Sequence, residues 1–104
     1  MAGSPTTRSL AHLRKAGYLC AIVEKWNSHT MTRSDLWGFV DVLAIREGEI
    51  LAVQTTSRSN VSARVRKIAE HENVGTVRKA GIRIEVHGWA KKGRFWELKI
   101  VDVS

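Results

Sequence analysis

A single cysteine, Cys20, excludes an intramolecular disulfide and any cysteine-based zinc cluster. A single proline, Pro5, leaves no proline-rich linker at which to divide the chain. No apolar run approaches the ~18 residues that a membrane-spanning helix needs. The opening residues, Met-Ala-Gly-Ser-Pro-Thr-Thr-Arg, lack the apolar stretch of a secretory signal. Internal repeats, low-complexity tracts and glycine-rich phosphate loops are absent, which argues against nucleotide hydrolysis. These absences predict one domain over 1–104, frayed at 1–3, with no membrane contact. The expected setting is cytoplasmic: intracellular, at a nucleoid or in the cytoplasm of a viral host.

Acidic residues are also scarce. Ten Asp and Glu stand against 17 Lys and Arg, a net charge of +7 on 104 residues. A surplus of that size on one small domain favours a polyanionic partner, most often nucleic acid. The hydrophobic fraction, 43%, is that of a chain able to fold around a core, so the charge decorates a globular domain rather than a disordered tail.

Periodicity and turn residues divide the chain. Ser4-Pro5 reads as an N-cap and first-turn proline for a helix over 6–16, with Leu10, Leu13 and Ala16 on one stripe and Gly17 as its stop. Residues 18–26 read as a strand by aromatic and β-branched content, and 27–34 as a polar loop holding His29 and Arg33. The nearly continuous apolar run 37–45 reads as a strand buried on both faces. A turn at 46–49 with Gly48, then a strand over 50–56, complete a hairpin. After a loop at 57–60, with Ser59 or Asn60 as helix cap, a helix over 61–71 buries Val61, Val65, Ile68 and Ala69. It shows Arg64, Lys67 and His71 on another stripe. A short helix over 74–80, an alternating half-exposed strand from Ile82 to His87 and a last strand over 95–103 follow. The order α-β-β-β-α-(α)-β-β predicts an α/β sandwich around a mixed sheet.

Asp41 breaks the pattern, because every neighbour in 37–45 is apolar or glycine. A carboxylate there costs several kcal/mol, about the penalty of burying one ion, unless a cation or hydrogen bonds meet it. It is either tied to amides or an arginine, or it is a metal ligand. Gln54 follows by thirteen residues on the partner strand, and it shares a face with Thr56. A carboxylate and an amide oxygen on paired strands form a hard-oxygen corner suited to Mg²⁺. Glu24 is a third candidate, or an ordinary solvent-facing strand residue. Asp35 reads as a turn or cap.

These residues resemble the PD-(D/E)XK nuclease superfamily. Phe39-Val40-Asp41, the hairpin, Val53-Gln54-Thr55-Thr56 and the basic helix that follows are similar to its strand–hairpin–strand–helix motif. Gly38-Phe39-Val40-Asp41 is similar to small resolvase-like and VRR-NUC-type members. The resemblance covers about residues 9–89. It implies a restriction-endonuclease-like α-β-β-β-α-β core, with a mixed central sheet flanked by helices. It implies a metal-dependent DNA endonuclease that holds Mg²⁺ or Mn²⁺ through Asp41, Gln54 and Glu24. Thr56 stands where the family places lysine. A lysine migrated to the next helix would be Lys67, with Arg58 and Arg64 as alternatives. If none reaches, the chain is a DNA-binding module on the same fold. Arg33, Arg58, Arg64, Arg66 and Lys67 would contact DNA. No element remains to read a groove, so branched or flapped DNA is the implied substrate, and a resolvase-like role implies a homodimer.

The remaining polar and aromatic residues read more plainly. His12, His29, His71 and His87 lack zinc-ligand spacing and read as surface or loop residues. Cys20 reads as a buried strand residue, and the four tryptophans as core or interface.

Overall fold

The structure is a computed structural model that describes residues 3–104. The expected fraying at 1–3 therefore lies outside the described residues except at Gly3, which is exposed and outside any element. The elements in chain order are α1 (Pro5–Lys15), β1 (Leu19–Ile22), β2 (Lys25–Asn27), β3 (Thr32–Ser34), β4 (Val42–Arg46), β5 (Glu49–Ser57), α2 (Val61–Ala69), α3 (Val74–Lys79), β6 (Arg83–Lys92) and β7 (Phe95–Asp102). A single 3₁₀ turn, Arg58–Asn60, joins β5 to α2. No helix is long and apolar enough to cross a membrane among the described residues.

Five strands form one mixed sheet in the order β1-β4-β5-β6-β7. The β5–β6 pair is parallel and the others are antiparallel. The parallel pair needs a crossover, which α2 and α3 supply. The molecule is therefore α/β, with helices on both faces of a mixed sheet. On one face Leu10 and Leu13 of α1 pack with Val42, Ala44, Leu51 and Val53. On the other, Val61, Ile68, Val74 and Val77 of α2 and α3 pack with Ala52, Ile84 and Val86.

The start of α1 follows the expected chemistry. The Ser4 hydroxyl accepts from the Thr7 amide at 3.1 Å, and Pro5 occupies the first helical turn. Ala16, expected on the buried stripe, is instead the exposed C-cap residue. Ala69, expected in the core, is exposed at the end of α2.

Three other segments depart from the sequence reading. The expected strand 18–26 is two strands in two sheets, interrupted at Val23 and Glu24. The expected loop 27–34 contains β3, which pairs with β2 as a small hairpin. The Asn27 side chain accepts from the amides of His29 and Thr30 and so closes its turn. The expected strand 37–45 begins only at Val42. Trp37 and Gly38 adopt φ of 55° and 90°, a pair of positive values typical of a tight hairpin turn. Leu36 and Val40 pair across that turn, and Phe39 and Val40 drop fully into the core. A continuous apolar run carries no period, so it cannot distinguish a buried strand from a buried turn.

His87 also departs from expectation. It is fully buried, since α1 covers the face of β6 that alternation leaves to solvent. Its Nδ1 lies in hydrogen-bond contact with the Ser9 hydroxyl at 2.9 Å, and its Nε2 with a Glu85 carboxylate oxygen at 3.0 Å. The Trp89 indole N–H donates to the same Ser9 oxygen at 2.9 Å, so Ser9 links β6 at two points to α1.

Candidate metal centre

The turn at Trp37 and Gly38 builds the site. Leu36 and Val40 face each other across it, so the residues just outside that pair, Asp35 and Asp41, are drawn together. The Val23 amide donates to the Asp41 carbonyl at 2.9 Å, and this anchors the next residue, Glu24, beside them. One carboxylate oxygen from each of Glu24, Asp35 and Asp41 lies within 4.8 Å of the others. They share a cleft of about 410 Å³ with Gln54, Thr56, Arg33 and Arg64.

Asp41 is 5% exposed. Its Oδ2 accepts from the Thr55 amide at 2.8 Å and from the Thr55 hydroxyl at 3.3 Å. The Thr6 hydroxyl lies 2.8 Å from Thr55 Oγ1 and donates to Glu24 Oε1 at 3.5 Å, tying both residues to α1. Burial nevertheless pushes the Asp41 carboxyl up to about 7. The Thr55 amide opposes that shift, whereas the carboxylates of Asp35 and Glu24 add to it. Among the described residues the compensation from cations is thin. Arg33 reaches Glu24 only at 3.9 Å, with its side chain 65% exposed.

Gln54 is 2% exposed, and its Oε1 has no hydrogen-bond partner among the described residues. A buried carbonyl without a partner costs about 1–3 kcal/mol. Three carboxylate oxygens and an unpartnered amide oxygen around one cleft are the donor set of a hard divalent cation. The residues present therefore fit a metal ion.

The structure brings together Asp41, Gln54, Thr56 and Glu24, and, of the residues expected to contact DNA, Arg33 and Arg64. Glu24 lies between β1 and β2 rather than within a strand. The structure does not bring Lys67 to this cleft. Lys67 is exposed and absent from the lining, because Val61 and Ile68 turn the other side of α2 to the core. Arg66 is likewise exposed, and Arg58 is engaged 3.3 Å from Glu97. Of the residues offered in place of the lysine, Arg64 alone lines the cleft. Sequence reasoning assigns Asp35 to a turn and gives no signal for Thr6 or Thr55. Asp35 does make a turn contact, its carbonyl accepting from the Gly38 amide at 3.0 Å, but its side chain joins the cluster.

No protein-family model matches this chain, and no curated protein or solved structure matches it either.

Proposed function

We propose that this chain is a PD-(D/E)XK-like, Mg²⁺-dependent endodeoxyribonuclease that prefers branched or flapped DNA. The observation that carries the reading is the cluster of Glu24, Asp35 and Asp41 beside the unpartnered Gln54 oxygen. The order β1-β4-β5-β6, with β5 and β6 parallel and α1 and α2 on opposite faces, supports a restriction-endonuclease-like core. On this reading the β2–β3 hairpin is an insertion and β7 an added edge. The net charge of +7 supports a polyanionic substrate.

Asp41, Glu24, Asp35 and Gln54 would hold the cation. Bound there, it would supply Lewis-acid polarisation of a phosphate oxygen and acidify water. Thr55 fixes the rotamer of Asp41, so the carboxylate is oriented before any ligand arrives. The Thr56 hydroxyl orients water but brings no charge. Arg64 and Arg33, on the cleft wall, offset negative charge developing on the phosphate.

A second reading, a DNA-binding module without cleavage, is favoured by Thr56 and by the exposure of Lys67. One assay separates the two. Wild type, Asp41→Asn, Arg64→Ala and Thr56→Lys are incubated with branched and linear DNA in Mg²⁺ or Mn²⁺. Cleavage that needs metal and is lost in Asp41→Asn and Arg64→Ala supports the nuclease. DNA binding without cleavage, with activity gained only in Thr56→Lys, supports the module.

A further inference from the structure

Strand β5 ends at Ser57, which pairs with Trp89 of β6. Both β6 and β7 continue past that point. Ala90, Lys91 and Lys92 pair only with Glu97, Trp96 and Phe95 of β7. Because β5 and β6 are parallel, this two-stranded extension leaves the sheet at the end that carries Gln54 to Ser57, the end of the cleft. Three residue pairs and a turn project about 10 Å at the usual rise per strand residue. The turn is the two residues Gly93 and Arg94, with Gly93 at φ 61°, a tight connection that keeps the ribbon narrow.

The extension is basic and aromatic. Lys91, Lys92 and Arg94 are exposed, Phe95 is 76% exposed and Trp96 is 43% exposed. Its one acid, Glu97, is taken up by Arg58 at 3.3 Å and Lys92 at 3.7 Å. Lys91 and Arg94 have no carboxylate partner among the described residues. The base of the ribbon is fixed from both sides. On one face the Arg8 guanidinium of α1 lies 3.3 Å from the Trp96 ring centroid, and Trp89 donates to Ser9. On the other, Arg58 of the 3₁₀ turn grips Glu97. The tip is thus exposed, and its base is braced against α1, whose start lines the cleft, and against the 3₁₀ turn that follows the cleft-lining end of β5.

We infer that this ribbon, residues 90–97, is a DNA-binding arm that enters a groove of the duplex flanking the cleft, with Lys91 and Arg94 on phosphates and Phe95 against the bases. A two-stranded ribbon fits the major groove, which is about 12 Å wide. The inference rests on the proposal that DNA is the substrate, and it replaces the expectation that no element is left to read a groove. The occupant is taken as duplex DNA because the narrow two-stranded ribbon matches a major groove and carries exposed cations, with Phe95 at its tip giving an apolar contact that phosphate binding alone does not need.

The test measures DNA binding by fluorescence anisotropy across a salt series, with the 104-residue chain in EDTA and a duplex probe of about two helical turns. Cleavage of branched DNA in Mg²⁺ is assayed in parallel. Removing one phosphate-binding cation lowers the slope of log K against log salt by about one unit, so Lys91→Ala/Arg94→Ala flattens it by about two. Phe95→Ala weakens binding with the slope unchanged. Thermal melting of each variant, expected to match wild type, separates a local effect on DNA binding from unfolding, and a variant that melts early is replaced by Lys91→Gln/Arg94→Gln. Wild-type slope and affinity in the double variant overturn the arm while leaving the nuclease proposal intact. Weakened binding in the variants, with no cleavage by wild type, supports the arm and overturns the nuclease. A wild type that binds no duplex at low salt overturns the arm outright.

Discussion

The two ends of β5 gather similar residues and treat them in opposite ways. At its start, Glu49 meets Glu85 and Asp102 around Arg83, whose guanidinium lies 3.0, 3.2 and 3.8 Å from the three carboxylates. Arg46 adds a second cation on Glu49, and Tyr18 donates to the same carboxylate at 3.2 Å. There the Arg46 hydrogen bond holds Glu49 below the usual carboxylate range, and hydrogen bonds from Ser104 hold Asp102 below it. At the other end of β5, three carboxylates converge, no ion pair reaches Asp41 among the described residues, Arg33 meets Glu24 only at 3.9 Å, and burial raises Asp41 to about 7. One end supplies its own counter-charge. The other leaves the Asp41 carboxylate without an ion pair, a lack of the sort that a divalent cation fills. An acidic cluster alone would not distinguish the two, but compensation does, and so does the unpartnered Gln54 oxygen beside the uncompensated cluster.

The largest effect should come from relieving the uncompensated end. Asp41→Asn should abolish metal-dependent cleavage, roughly 10³-fold or more, by removing a ligand. The same change should stabilise the metal-free protein at pH 8 by about 2–4 kcal/mol, measured by denaturant unfolding. The sign follows from the raised value. The folded state holds the Asp41 proton up to about 7, whereas the unfolded chain releases it near 3.8. Stability from this group is therefore complete below pH ~4 and falls as pH climbs to about 7. Mg²⁺ should flatten that fall in wild type, and Asp41→Asn should lack it with or without metal.

The turn that assembles the cluster is the next point to break. A Cβ at Gly38 would run into the His71 ring, and φ there is 90°. Gly38→Ala should cost about 3 kcal/mol of stability and separate Asp35 from Asp41. Its metal affinity, measured at a temperature where it remains folded, should fall with it. Unchanged affinity in the folded variant would show that the turn does not position the carboxylates.

Gln54→Leu sharpens the contrast more gently. Deleting a buried, unpartnered oxygen should leave metal-free stability equal or higher by about 1 kcal/mol. Cation affinity should drop about tenfold. The smallest change belongs to the compensated end. Arg83→Ala should cost about 1 kcal/mol, since its ion pairs are partly exposed, and should leave metal affinity untouched.

Asp41 is legible in the sequence because a charge inside an apolar run has no cheap explanation, and the hairpin spacing makes Gln54 legible with it. Asp35 is hidden by the same run. Reading 37–45 as a strand sends Asp35 about six extended residues from Asp41, and only the folded-back turn closes that gap. Gly38 is the available signal, since a glycine inside an apolar run marks a bend as readily as a strand. Residue type alone points to Lys67, but α2 presents Arg64 to the cleft. Alternation leaves His87 on an open face, whereas β6 is covered on both faces, by α1 and by α2. The mixed sheet, by contrast, follows from element order, because a helix between β5 and β6 almost requires a parallel pair.

The central claim, that the uncompensated end of β5 is a divalent-cation site, is tested most directly by calorimetric titration of Mn²⁺ into wild type and Asp41→Asn. The titration is run at about pH 7, close to the raised Asp41 value, in two buffers of different ionisation enthalpy. One saturable site is predicted for wild type, with heats that differ between buffers, because the cation displaces a proton held by a group titrating at about 7. Asp41→Asn should lose both the binding and the proton release. No saturable binding in wild type, or equal binding in the two proteins, would contradict it.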